Sequence, residues 1–65
     1  MDEIRRAIKE RRKQLNFTQE QFAIASGLGL RFVRELEQGK KTCRMDKVVQ
    51  ALDFLGLCIK VEEKQ

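Results

Sequence analysis

Residues 18–39 read Thr-Gln-Glu-Gln-Phe-Ala-Ile-Ala-Ser-Gly-Leu-Gly-Leu-Arg-Phe-Val-Arg-Glu-Leu-Glu-Gln-Gly, a stretch that holds two short helices with almost nothing between them. Thr18 stands three residues before Gln21. At that spacing a threonine hydroxyl caps a helix amide, and a glutamine side chain returns a bond to the threonine's own amide. The pair predicts a helix over 18–26 with Phe22 and Ala23 facing inward. Gly27 ends it, because glycine adopts the left-handed backbone that closes many helices. Gly29 is placed to cap a second helix over 30–38, which carries Phe32, Val33 and Leu36 on its apolar side and stops at Gly39.

Two helices joined by so short a glycine-containing turn form a helix-turn-helix, whose second helix can enter the major groove of DNA while the first braces it. The second helix has the faces this requires. At 100° per residue Arg31, Arg34, Glu35 and Gln38 fall within about one quadrant, opposite Val33 and Leu36.

Outward from this centre the pattern stays helical. Ile4, Ala7, Ile8 and Leu15 recur at helical spacing among charges, predicting an amphipathic helix over 2–15 that ends at Asn16. Met45, Val48, Leu52 and Leu55 predict another over 45–55. After Gly56 the period changes: Leu57, Ile59 and Val61 alternate with Cys58, Lys60 and Glu62, the two-residue repeat of a strand over 57–61. A lone strand has no partner within the chain, so it is expected to pair antiparallel with its copy about a twofold axis. The expected fold is all-α, four helices with a short C-terminal strand shared between subunits.

The bulk numbers favour the same assembly. A chain of 65 residues forms one domain with a modest core, and small domains gain stability from disulfides, a metal or a second subunit. Histidine is absent and the two cysteines, Cys43 and Cys58, have no Cys-x-x-Cys spacing, so no zinc ligand set exists. No export signal precedes the first helix, which points to a reducing cytoplasm and to two unpaired thiols. A second subunit remains. No run reaches the length of a membrane span. Without histidine, tryptophan or tyrosine, and with Ser26 as the only serine, the chain lacks the parts of a nucleophilic enzyme. Fourteen Lys and Arg against ten Asp and Glu leave a net charge of +4, which fits a polyanionic partner without requiring one. Arg5, Arg6, Lys9, Arg11, Arg12 and Lys13 of the first helix read as a solvated face.

Thr18 to Ala23, Gly27, Val33 and Leu36 to Lys40 together resemble the Xre/Cro family of helix-turn-helix repressors, over roughly residues 8 to 57. Residues 29–40, with Leu55-Gly56-Leu57, are similar to the HipB-like antitoxins within it. The resemblance implies a lambda-repressor-like domain without metal or cofactor, binding an inverted-repeat operator in double-stranded DNA as a homodimer. For the subgroup it implies an autoregulatory antitoxin with a kinase-like toxin as partner. It assigns base reading to Leu30, Arg31, Arg34 and Glu35, and phosphate contact to Thr18, Gln19, Gln38, Lys40, Lys41, Thr42 and Arg44. It also implies a charge pair between Arg12 and Glu37. Ile24, Ala25 and Leu30 depart from the family, being apolar where relatives are polar, Leu30 at a base-reading position, and an exposed Ile24 would suit a protein partner. A phage or stress-response switch protein, and an interaction adaptor that no longer reads DNA, are the alternatives.

Overall fold

A computed structural model of the chain describes residues 2–40 and 43–59 and folds them into four helices: α1 (Asp2–Gln14), α2 (Gln19–Ser26), α3 (Leu30–Gln38) and α4 (Met45–Phe54). Their apolar faces meet in one core built from Ile8 of α1, Phe22 and Ala23 of α2, Val33 and Leu36 of α3, and Val48, Ala51 and Leu52 of α4. Leu28 and Leu55, from the connections, complete it. The rings of Phe17 and Phe22 each lie tilted against Phe54, at 5.8 and 5.6 Å. Ala7, Leu15 and Met45, expected on apolar faces, are exposed.

All four helices end by one device. Just past each lies a residue of positive φ, Asn16 (62°), Gly27 (76°), Gly39 (87°) or Gly56 (74°). The amide of the following residue then reaches back to a carbonyl in the last turn: Phe17 to Arg12 at 3.1 Å, Leu28 to Ala23 at 3.1 Å, Lys40 to Glu35 at 3.1 Å and Leu57 to Leu52 at 2.8 Å. Apolar residues after such a left-handed cap fold back onto their own helix. Leu28 does so fully, and Phe17 and Leu57 in part.

This device overturns the expected strand over 57–61. Leu57, Cys58 and Ile59 adopt no strand, none occurs among the described residues, and Lys60 and Val61 lie outside them. The amide of Leu57 is spent on closing α4, and its side chain packs inward because it follows the helix cap, not because it alternates along a sheet. The fold is therefore all-α, and the strand-mediated pairing of subunits goes with the strand.

Among the described residues the core contains one ion pair. Arg12 grips Glu37 with two parallel bonds, Nε to Oε2 at 2.7 Å and Nη2 to Oε1 at 2.9 Å, and both side chains are over nine-tenths buried. The remaining Arg12 amino group donates to the Phe17 carbonyl at 2.6 Å, and Gln19 Nε2 donates to Glu37 Oε1 at 3.1 Å. Two further α1 arginines cap helix ends: Arg5 Nη1 donates to the Glu37 carbonyl at 3.2 Å and Arg11 Nε to the Leu55 carbonyl at 3.1 Å. Cations at helix C-termini are favoured by the helix dipole. Three of the basic residues read as a solvated face are thus structural.

Arg12→Met is expected to cost about 3 to 5 kcal/mol, because it leaves a buried carboxylate without its partner. The fall in urea midpoint measures this, and Arg12→Met/Glu37→Leu should recover much of the loss. Gly56→Ala should cost about 1 to 2 kcal/mol through backbone strain alone, since no atom lies within 4 Å of the added carbon. Gly39→Ala should cost more, for its Cβ would also meet Arg5 Nε at 3.3 Å.

Candidate nucleic-acid interface

The turn from Gly27 to Gly29 sets α3 against α2 with a fixed inner face. Val33, Leu36 and Glu37 are buried, whereas Arg31, Arg34 and Gln38 stand in solvent. Leu30, at the start of α3, is half-buried and packs partly on the core. Burying one face of α3 leaves its long polar side chains projecting from the other, an arrangement that can place hydrogen-bond donors against base edges.

Two shallow depressions flank this exposed row. One joins Arg34 to the beginning of α2, where Thr18, Gln19 and Glu20 lie. Thr18 caps α2: its Oγ1 accepts from the Gln21 amide at 3.0 Å, and Gln21 Oε1 accepts from the Thr18 amide at 2.9 Å. The Thr18 hydroxyl hydrogen is left to donate elsewhere. Gln19 keeps a second amide hydrogen after its bond to Glu37, and its position is fixed by the core pair.

The other depression runs between α3 and the beginning of α4. Arg31, Glu35, Lys40, Arg44 and Lys47 line it. Glu35 sits among the cations, with Oε1 3.2 Å from Arg31 Nε and Oε2 3.0 Å from Lys40 Nζ. The hydrogen bond from Lys40 holds the Glu35 carboxyl below the usual carboxylate range, against desolvation and with help from Arg31, so Glu35 is ionised at neutral pH. Arg44 forms a two-bond pair with Asp46 at 3.2 and 2.9 Å. Lys41 and Thr42, expected to face phosphate, lie outside the described residues.

Lys47 is a residue that sequence reasoning missed. Its ammonium lies 5.5 Å from the centre of the Phe32 ring, a cation–π contact that steadies it at the rim of the depression. The available signal was its place one helical turn beyond Arg44. Arg6, Lys9 and Lys13 on α1 are exposed. Ile24 is 82% exposed on the outer side of α2. No helix among the described residues is long and apolar enough to cross a membrane.

Residues 8–58 match the helix-turn-helix family model, a span that contains all of α2, α3 and α4 and the part of α1 that supplies Ile8 and Arg12. A protein described as an uncharacterized HTH-type transcriptional regulator, y4mF of Sinorhizobium fredii, is 44% identical over 50 residues, 77% of this chain and 66% of that protein's length. No solved structure matches the chain. With its capped α2, its glycine turn and an α3 that is half core and half solvent, the chain belongs to the helix-turn-helix family.

Proposed function

We propose that this chain is a sequence-specific transcriptional repressor that binds double-stranded DNA as a homodimer, with α3 in the major groove. It is a binding protein and not an enzyme, in keeping with its family. The observation that carries the reading is the division of α3: Val33 and Leu36 are sealed in the core while Arg31 and Arg34 are fully outside it. A solvated guanidinium at the groove edge donates two parallel bonds to guanine O6 and N7, which separates guanine from the other bases. Leu30, Arg31, Arg34 and Glu35 make up the groove-facing set, in which Glu35 either accepts from a cytosine or orients one of the arginines. Thr18, Gln19, Gln38, Lys40, Lys41, Thr42 and Arg44 flank it toward the phosphates, and Lys47 joins them. The regulatory role is supported by similarity to the Sinorhizobium fredii protein, which is described as an HTH-type transcriptional regulator.

The resemblance of residues 29–40 and 55–57 to HipB-like antitoxins supports a finer version, an autoregulatory cytoplasmic antitoxin with a kinase-like toxin as second partner. A kinase-like gene abutting this one would separate that version from a phage or stress-response switch. An adaptor that does not read DNA predicts no salt-dependent binding to any duplex.

The test is selection from a random duplex library, followed by binding at fixed salt. Half-sites in the selected duplex should form an inverted repeat with centres about 34 Å apart, as a twofold dimer demands. Arg31→Ala and Arg34→Ala should each lose about 1 to 3 kcal/mol on that duplex and relax preference at one base pair. Arg44→Ala should weaken selected and scrambled duplexes alike and reduce the salt slope by about 1. Equal losses of the two arginine variants on both duplexes would make them phosphate clamps and place specificity elsewhere.

A further inference from the structure

We infer that Glu35 does not read a base itself but positions Arg31 for reading, and that Lys40 holds Glu35 in place, so that Lys40 contributes to base discrimination as well as to phosphate attraction. The inference rests on the reading that α3 enters the major groove.

Both oxygens of the Glu35 carboxylate are engaged by cations. One oxygen accepts from Arg31 and the other from Lys40. The charge of Glu35 is already matched by two cations and its side chain is only 30% exposed, so it is less drawn to a cytosine amino group than a free carboxylate would be. Arg31, by contrast, is engaged in the way that reading requires. Its side chain is 92% exposed, and its polar contact among the described residues is made through Nε alone. Both terminal amino groups remain, and together they form the end of the guanidinium that meets guanine O6 and N7. An arginine this exposed would otherwise sample many rotamers, and the cost of ordering it would fall on binding. Glu35 restricts it beforehand.

Lys40 fixes Glu35 from two sides. Its backbone amide donates to the Glu35 carbonyl at 3.1 Å as part of the helix cap, and its ammonium donates to the carboxylate at 3.0 Å. The left-handed Gly39 turns the chain so that both bonds form at once. The result is a relay from the cap of α3 to its reading face, Lys40 to Glu35 to Arg31, in which each side chain places the next.

The experiment measures wild type, Arg31→Ala, Glu35→Gln, Lys40→Ala and Glu35→Gln/Arg31→Ala against the selected duplex and every single-base variant of it. Glu35→Gln removes a negative charge near the phosphates and should raise affinity for all duplexes, so the readout is the ratio between bases at each position. Glu35→Gln and Lys40→Ala are each expected to lower that ratio about two- to fivefold, the strength of an exposed ion pair. They should do so at the base pair where Arg31→Ala abolishes preference. In the Arg31→Ala background Glu35→Gln should change no ratio. The inference is overturned if Glu35→Gln shifts preference at a different base pair, if it changes no ratio in the parent protein, or if Lys40→Ala weakens all duplexes equally. If the wild-type protein enriches no sequence from the library, the groove-reading proposal fails and this inference falls with it.

Discussion

Glu37 is the point at which three helices are tied together. Its carboxylate takes two bonds from Arg12 of α1 and one from Gln19 of α2, and its backbone carbonyl takes another from Arg5. Apolar packing alone gives α3 a buried stripe but little resistance to sliding or turning about its axis, because contacts among Val33, Leu36 and Phe22 are non-directional. A planar guanidinium bonded to a planar carboxylate has one geometry. A buried ion pair need not add net stability over an apolar replacement, yet it is costly to break and specific in what it permits. Its value here lies in the placement of the helix whose outer face carries Arg31 and Arg34.

The same view explains how the basic residues divide. Arg5, Arg11 and Arg12 point into the fold and donate to the backbone carbonyls of Glu37, Leu55 and Phe17. Arg31, Arg34, Lys40, Arg44 and Lys47 come from α3, the following connection and the first turn of α4, and their charges face one side of the molecule. A net charge of +4 hides this partition. Salt should accordingly screen the exposed cations strongly and the buried Arg12 hardly at all.

Much of the architecture was legible in the sequence because its signals are local. Thr18 with Gln21, and glycines at 27, 39 and 56, act within one helical turn of themselves, and the boundaries of α2 and α3 follow from them. The C-terminal segment was misread because two physical causes leave one pattern. An apolar residue directly after a capping glycine and an apolar residue at a strand's inner face look alike, and Leu57 is the former. Gly27-Leu28 shows the same arrangement earlier in the chain, where Leu30 and Phe32 continue the alternation yet belong to the start of α3. The exposure of Ala7, Leu15 and Met45 could not be read either, since helical spacing gives a face but not how far the neighbouring helices cover it. Arg5 and Arg11 were missed as caps because their acceptors lie more than thirty residues away.

The two glutamates of α3 differ in what can compete for them. Glu35 and Glu37 are two residues apart, about 200° around the helix, so one must face out when the other faces in. Glu37 is enclosed, and no partner outside the fold can compete for it. Glu35 is bound to cations that DNA also attracts, so its bonds are conditional on what lies in front of them. On the proposed groove reading, scrambled DNA would offer phosphates but no correctly placed guanine, and any phosphate that drew Lys40 and Arg31 away would leave the carboxylate facing it unpaired. On the same reading, a duplex with guanine in register would use the terminal amino groups of Arg31 and leave its Nε with Glu35. The rigid inner pair makes this comparison possible, because a helix free to rotate would let Arg31 find a phosphate on any sequence.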